Sequence, residues 1–525
     1  MSFRKASQHA SRLTSDLAGE MFAFLAHQFP VCMASDEFHY FPQVQCEPSG
    51  ACRWDDFSPD GVADTVAHLK RWREALVHDG RCPSLPARQD DERAMLLRIA
   101  GTLYEQLTLA KVHETQPTYY LTIVGIGLAE ALEAGSPALP TRMAGLPDFL
   151  DQARENLREI PRLFRDLGID MLAKQQQWMD SLPLPQSSRK PVSDAFQRLD
   201  RHLREIPTRE EFRPPVDLYE RILFHHVGCQ QAPEKVAGEL ASEIDETQAL
   251  LAQAAEALAP GRPWPLVVDD LPRPPLPAEG VAALYRGVIA ELAQHCSAAG
   301  FMGRDLLKEC PVRVETIPDY MRPVRSNAAF SMPPVHPPRG GTFFILETGR
   351  SGFVPADYRL LSAHETLPGH HLLDTCRWRQ ANPVRRHVEF PIFYEGWASF
   401  AEELLFETGF FSGTIDRLLM AKRRFWRALR GLTDFNLHMR RQTLEDAAAH
   451  LVSHGMPPPR AQAMVRRYAL KPGYQLAYTI GRRRFREFYD AYGRRHGGAA
   501  GFARRVLAQG EIGFDHLEEV LRQGG

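Results

Sequence analysis

Along most of the chain, apolar residues recur at three- and four-residue intervals, the spacing that lines one face of a helix. RAMLLRIAGTLYEQLTLAKV (93–112), DLYERILFHHV (217–227) and VAALYRGVIAELAQHC (281–296) show the pattern clearly. It predicts successive helices over 1–180, separated by Pro-rich turns. SLPLPQSSRKP (181–191) and APGRPWPLVVDDLPRPPLPAEG (259–280) are dense in Pro, Gly and Ser, and predict loops or linkers. Between 311 and 348 the texture changes. PVRVETIP and GTFFILET carry β-branched and aromatic residues on either side of MPPVHPPRGG, and read as short strands. Helical spacing returns from Ala356 to the end, and no internal repeat is found. The expected fold is mainly α with one small sheet near AHETLPGHHL. Three stretches, 1–180, 181–310 and 311–525, are expected to form one integrated body.

Composition narrows the function. With 525 residues and 44% hydrophobic content, the chain can bury a large core. Its 63 Lys and Arg are balanced by 65 Asp and Glu, which argues against binding nucleic acid through bulk charge. The N-terminal MSFRKASQHASRLTSDLAGEMFAFLAHQF lacks the apolar run and small-residue cleavage site of a secretion signal. No stretch approaches the roughly 18 uninterrupted apolar residues of a membrane span. The expectation is a cytoplasmic protein with neither a nucleic-acid nor a membrane partner. Eight cysteines, scattered from Cys32 to Cys376, read as reduced thiols rather than a disulfide framework. Cys46 and Cys52 with His39 sketch a small zinc site, but no second close pair completes four ligands.

The sharpest chemical signal is AHETLPGHHL, Ala363 to Leu372. Catalytic zinc takes three protein ligands from imidazole and carboxylate groups and keeps a position for water. A Glu beside a ligating His can accept that water's proton, the role expected of Glu365 next to His364. HExxH on a helix places its two imidazoles one turn apart, but here Pro368 and Gly369 stand at the second position. Pro368 cannot donate to the carbonyl of His364 and clashes with it, so the helix kinks or opens. A regular helix would return His371 to the face of His364, whereas an unwound turn would present His370. We favour His370, with His371 as the alternative.

FYEGWASFAEELL, Phe393 to Leu405, follows, with Glu395 expected to open a helix and Glu402 seven residues on along the same face. YEGWASFAE resembles the NEGFASYxE-like segment of aminopeptidase-type gluzincins, which implies that Glu395 is the third ligand. Glu402 then holds an imidazole or is a structural carboxylate. In LTDFNLHMRR, Asp434 stands four residues before His438, spaced to orient the imidazole as an oxyanion-stabilising pair, or to form an ordinary surface pair. RRYALKPGYQLAYTIGRRRF adds Tyr474 and Tyr478. A phenol there can donate to an oxyanion, and for Tyr474 simple packing is the preferred reading. Arg482, Arg483 and Arg484 read as a solvated helix face, with binding of an anionic substrate group as the alternative.

Taken in order, HETLPGHHL, YEGWASFAE, LTDFNLH and PGYQLAYTIG resemble the bacterial DUF885 family, whose members show HExxPGHH, EGWAxYAE, an Asp-containing segment ending in His, and PGxALxYxIG. The likeness covers at least 356–490. It departs at Ser399-Phe400, where an aliphatic residue and Tyr are usual, and at Gly473-Tyr474-Gln475, where Gly-Gln is usual. The resemblance implies a mainly helical, gluzincin metallopeptidase-like fold. It implies zinc on His364, His370 and Glu395, Glu365 as general base, and His438 and Tyr478 as further site residues. The expected function is zinc-dependent hydrolysis of a peptide or small amide, with the strand-like GTFFILET free to pair with an extended peptide. Two alternatives stand beside it. One is a non-haem iron or manganese enzyme acting on an amino-acid-like substrate, the other an inactive binding protein on the same frame.

Overall fold

A computed structural model describes residues 2–45, 47, 49–79, 87–134, 138–182, 186–317, 328–346 and 354–523. Helices carry most of that length, as the apolar spacing predicts. Helices Pro59–Asp79, Ala87–Glu105, Pro117–Ala134, Ala138–Asn156 and Arg162–Ser181 fill the N-terminal stretch. Their apolar faces merge with those of the C-terminal helices into one continuous core. Among the described residues, no helix is long and apolar enough to cross a membrane.

The two expected linkers are partly helical. Helix Gln186–Glu205 takes in Pro191, because Val192, Ala195, Phe196, Leu199 and Leu203 form a buried stripe behind it. Helix Trp264–Asp269 interrupts the second Pro-rich stretch. Its prolines sit at the helix start, where a missing N–H leaves nothing unpaired, and Val267 and Val268 are buried. Proline thus lies inside the first of these helices and at the start of the second.

The small sheet lies where the strand-like segments predict it. Strand β1 (Val312–Thr316) pairs in parallel with β3 (Gly341–Ile345), from Val312↔Gly341 to Thr316↔Ile345. Strand β2 (Ala329–Ser331) pairs with the other edge of β3, antiparallel, from Ala329↔Phe344 to Ser331↔Thr342. All five residues of β3 are buried. The expectation that GTFFILET accepts a peptide by strand addition is therefore corrected: both edges of this central strand are already bonded. The sheet packs through Phe343, Val314 and Phe330 against Tyr285, Ile289 and Trp378.

Six helices frame the candidate site: α1 (Pro233–Leu258), α2 (Tyr358–Glu365), α3 (His370–Trp378), α4 (Pro391–Glu407), α5 (Thr414–His438) and α6 (Ala477–Tyr492). Helix α1 lies along α5, and α4 along α6. The second pair touches backbone to backbone. A Cβ on Gly396 would stand 2.5 Å from the Cα of Gly481, and a Cβ on Gly481 would meet the carbonyl oxygen of Ile392. Each glycine belongs to a sequence motif, so the motif glycines are contact points between helices. Gly481→Ala tests this. An added methyl alone favours a helix by about 0.5–1 kcal/mol, but here it forces the helices apart at an overpacking cost of about 1–3 kcal/mol. The urea midpoint is expected to fall, and an unchanged or raised midpoint would disprove the close crossing.

Candidate metal centre

The centre begins with a broken helix. Helix α2 ends at Glu365, and α3 starts at His370 with Gly369 as its cap. Across the break, the Gly369 amide donates to the carbonyl of Ala363 over 3.2 Å, and that of Leu372 to Thr366 over 3.3 Å. The chain turns so tightly that a Cβ on Gly369 would collide with the carbonyl of His364. Pro368 supplies the break and Gly369 the room. Trp397 of α4 closes the turn, its indole N–H donating to the Pro368 carbonyl over 3.0 Å.

This break decides between the two imidazoles. Neighbouring residues on a helix point roughly 100° apart, so only one of His370 and His371 faces His364. His370 does so: the two rings are 4.7 Å apart. His371 turns the other way, with Nε2 donating to the carbonyl of Cys310 over 3.0 Å and Phe330 edge-on to its ring. Burial pushes the pKa of His371 down to about 4, so it stays neutral. The alternative ligand His371 is thus placed outside the cluster.

Helix α4 supplies the carboxylate. It begins at Pro391, so Glu395 sits in its second turn rather than opening it, as the sequence reading expected. Glu395 Oε2 lies 3.4 Å from His364 Nε2 and 3.5 Å from His370 Nε2. It is buried and accepts no hydrogen bond. Ligand atoms of these three residues lie within 4.8 Å of one another, the one such grouping of His, Cys, Asp or Glu among the described residues. Burial opposes the charge of Glu395, but the two imidazoles facing it hold its carboxyl well below the usual carboxylate range. A buried carboxylate oxygen aimed between two imidazole nitrogens fits the donor set of a divalent transition metal.

A second layer fixes these groups. His364 Nδ1 donates to Glu402 Oε1 over 3.1 Å, the tautomer that leaves the Nε2 lone pair pointing at Glu395. Glu402 in turn accepts from Arg427 over 2.6 Å and from Arg423 over 3.0 Å. The His370 ring stacks on Tyr394 at 4.0 Å, and the Tyr394 hydroxyl donates to Asp374 over 3.2 Å. Glu365 is buried beside the cluster. Burial pushes its carboxyl up to about 7, with His370 pulling it down and Glu395 pushing it up. The expected roles of Glu402 and Glu365 are geometrically open to both.

Two other expectations change. Tyr474 is not merely packed: its hydroxyl donates to Glu395 Oε1 over 2.6 Å. Tyr478 lies alongside His364, ring centroids 6.3 Å apart and nearly parallel. Burial first, then Glu395, pushes both phenols well above their ordinary range, so both remain donors. His438 and Asp434 do pair, over 2.8 Å, but both are fully buried, which excludes the surface pair. Asp434 accepts from the amides of Gly473 and Gln475 over 3.3 and 3.0 Å. His438 stacks on Tyr219, and its Nε2 is buried without a hydrogen-bond partner. Through Asp434 the pair also braces the turn that carries Tyr474.

The arginine run is corrected too. Arg482 is buried, bridging Glu243 of α1 and Glu403, Arg483 also reaches Glu243, and Arg484 pairs with Glu487. This ties α1 to α6 and is not a solvated face. His39 turns to Glu389 over 3.3 Å and lies against Tyr474, away from any cysteine site, and Cys46 lies outside the described residues. Sequence reasoning missed Arg423 and Arg427. The signal was helical spacing, since Arg427 stands seven residues before Asp434 on the same face of α5.

Comparison with known proteins supports the fold and is silent on the chemistry. No curated protein matches the chain. Two solved structures share the whole architecture, both carrying the description "putative lipoprotein". The one from Colwellia psychrerythraea superposes with a TM-score of 0.78 at 15% identity, covering 98% of this chain and 99% of that one. The one from Shewanella oneidensis, described as of unknown function, gives 0.71 at 16%, covering 97% and 100%. The profile described as "Bacterial protein of unknown function (DUF885)" matches residues 47–521. Since that match spans nearly the whole chain, including every residue of the centre, the protein belongs to the DUF885 family.

Proposed function

We propose that the protein is a zinc-dependent hydrolase of metallopeptidase type, acting on a peptide or other small amide. One observation carries the reading: His364 Nε2, His370 Nε2 and Glu395 Oε2 converge in a buried site with Glu365 beside them. Two imidazoles and a carboxylate make a common catalytic zinc set with a position left for water. His364, His370 and Glu395 would hold the zinc ion, which would supply Lewis acidity to the attacking water and to the substrate carbonyl. Glu365 accepts the proton of the attacking water and returns it to the leaving amine. Burial pushes its carboxyl up to about 7, which favours taking up a proton. Tyr478 offers its protonated phenol to the oxyanion, while Tyr474 steadies Glu395. Glu402 keeps His364 in the ligating tautomer. The order of elements, HE on one helix, His370 after the break and Glu395 on a following helix, suits a gluzincin-like site.

Elemental analysis of purified protein is expected to find about one zinc per chain. Chelation is expected to abolish cleavage of a panel of dipeptides, blocked peptides and small amides, and zinc to restore it. Turnover that survives complete metal removal would overturn the reading. The same donor set also serves ferrous iron. Iron after anaerobic purification, with activity restored by iron alone, would transfer the site to a non-haem iron enzyme.

A further inference from the structure

Beside the metal centre lies a cavity of 760 Å³. The two share a wall, because Tyr474 lines the cavity while its hydroxyl reaches Glu395. Part of the lining is apolar, with Phe164, Met171, Phe212 and Leu218. The charged part is one-sided: seven Lys and Arg side chains face two carboxylates, Glu37 and Asp170. An imbalance of that kind in a partly enclosed site favours an anionic occupant.

Some of these cations are already matched. Arg213 is held by Glu211 over 2.8 Å, and Lys471 lies 3.5 Å from Glu37. Arg430 of α5 is different. Its Nε donates to the Trp426 carbonyl over 3.3 Å, and its guanidinium lies 5.6 Å from the Tyr478 ring centroid. Among the described residues, it pairs with no carboxylate. The other side of the geometry points to the centre, since Tyr478 lies against His364. Arg430 therefore stands one aromatic ring away from a candidate ligand, half-buried, at the wall of the cavity. Arg427, nearly one turn earlier on α5, adds positive charge nearby but is engaged by Glu402. A guanidinium stays charged at any working pH and its fork matches a carboxylate.

We propose that Arg430 reads a carboxylate on the substrate, so that the protein takes short anionic peptides whose apolar side chains rest on the apolar part of the lining. The inference rests on the metallohydrolase reading for its chemistry but not for its binding. A free C-terminus and an Asp or Glu side chain present the same group. Three or four extended residues, at roughly 3.5 Å each, span the 6.3 and 5.6 Å separations from His364 through Tyr478 to Arg430.

Binding without turnover separates this inference from the hydrolase reading. Apolar tri- to pentapeptides are titrated calorimetrically into zinc-loaded Glu365→Gln protein, as the free acid, as the C-terminal amide, and as an amide containing one Glu. The free acid is expected to bind about 10–100-fold more tightly than the amide. If the Glu-containing amide recovers that affinity, the recognised carboxylate is a side chain, and if it does not, it is the C-terminus. Adding Arg430→Gln is expected to erase the gap, and Arg430→Lys to retain part of it, with circular dichroism confirming the fold. Should Arg430→Gln not fold, Arg430→Lys carries the comparison through a reduced gap. Equal affinities for all forms, no binding of any form, or a gap left intact by the substitutions overturns the inference. Absence of hydrolysis by unsubstituted protein, with the acid preference present, counts against the hydrolase reading alone.

Discussion

Glu365→Gln is expected to leave the fold and zinc content unchanged and to lower amide hydrolysis by about 10²–10⁴-fold. The side chain keeps its shape but loses the ability to accept and return a proton. Stability is expected to hold because burial already disfavours the charged carboxyl, raising it to about 7, and a neutral amide avoids that penalty. The loss should fall on kcat, with KM little altered, since the group acts as the bond breaks rather than in holding substrate. Steady-state kinetics with elemental analysis on the same sample makes the check. Turnover within a few-fold of the unsubstituted protein would remove Glu365 from the mechanism.

Glu402→Gln is expected to have the largest effect on stability and a second effect on the metal. Glu402 is fully buried and is the shared partner of Arg423, Arg427 and His364. Burial opposes its charge, but Arg423 and Arg427 outweigh that and hold the carboxyl well below its usual range. Neutralising it leaves Arg427 without its carboxylate partner, whereas Arg423 keeps Asp357 at 2.9 Å. Removing one member of a buried charge pair costs about 3–5 kcal/mol, against a typical total of about 5–15 kcal/mol for a folded domain. His364 also loses its strongest acceptor, and metal affinity is expected to fall about 10–100-fold. Chemical denaturation and a competition titration for zinc read the two effects separately. Unchanged zinc affinity in folded protein would reduce Glu402 to a structural charge.

Much of the centre was legible because donor type and spacing are written directly in the chain. His364 and Glu365 are adjacent, Glu395 and Glu402 share one face of a predicted helix, and all lie in order with the Asp434 and Tyr478 segments. The long helices were legible too, since burying one face imposes its period on the residues. The linker readings held for most of 259–280 but missed two helices for a local reason: prolines inside or at the start of a helix look like prolines in a loop until the apolar stripe behind them is seen to be buried. Spacing shows that Asp434 can hold His438, but not that Asp434 also braces the turn under Tyr474.

The sequence by itself determined the helical class, the small sheet, and the supply of imidazoles and carboxylates, because periodicity and side-chain chemistry are properties of short stretches. Tertiary structure alone decided which of them meet. His370 rather than His371 faces Glu395 because the chain reverses at Pro368-Gly369 and Trp397 clamps that turn. Tyr474 reaches Glu395, and Arg482 is buried on Glu243, because helices far apart in the chain cross closely at Gly396 and Gly481 and along α1. Such meetings depend on how helices pack over long separations, and no residue's own neighbours encode that.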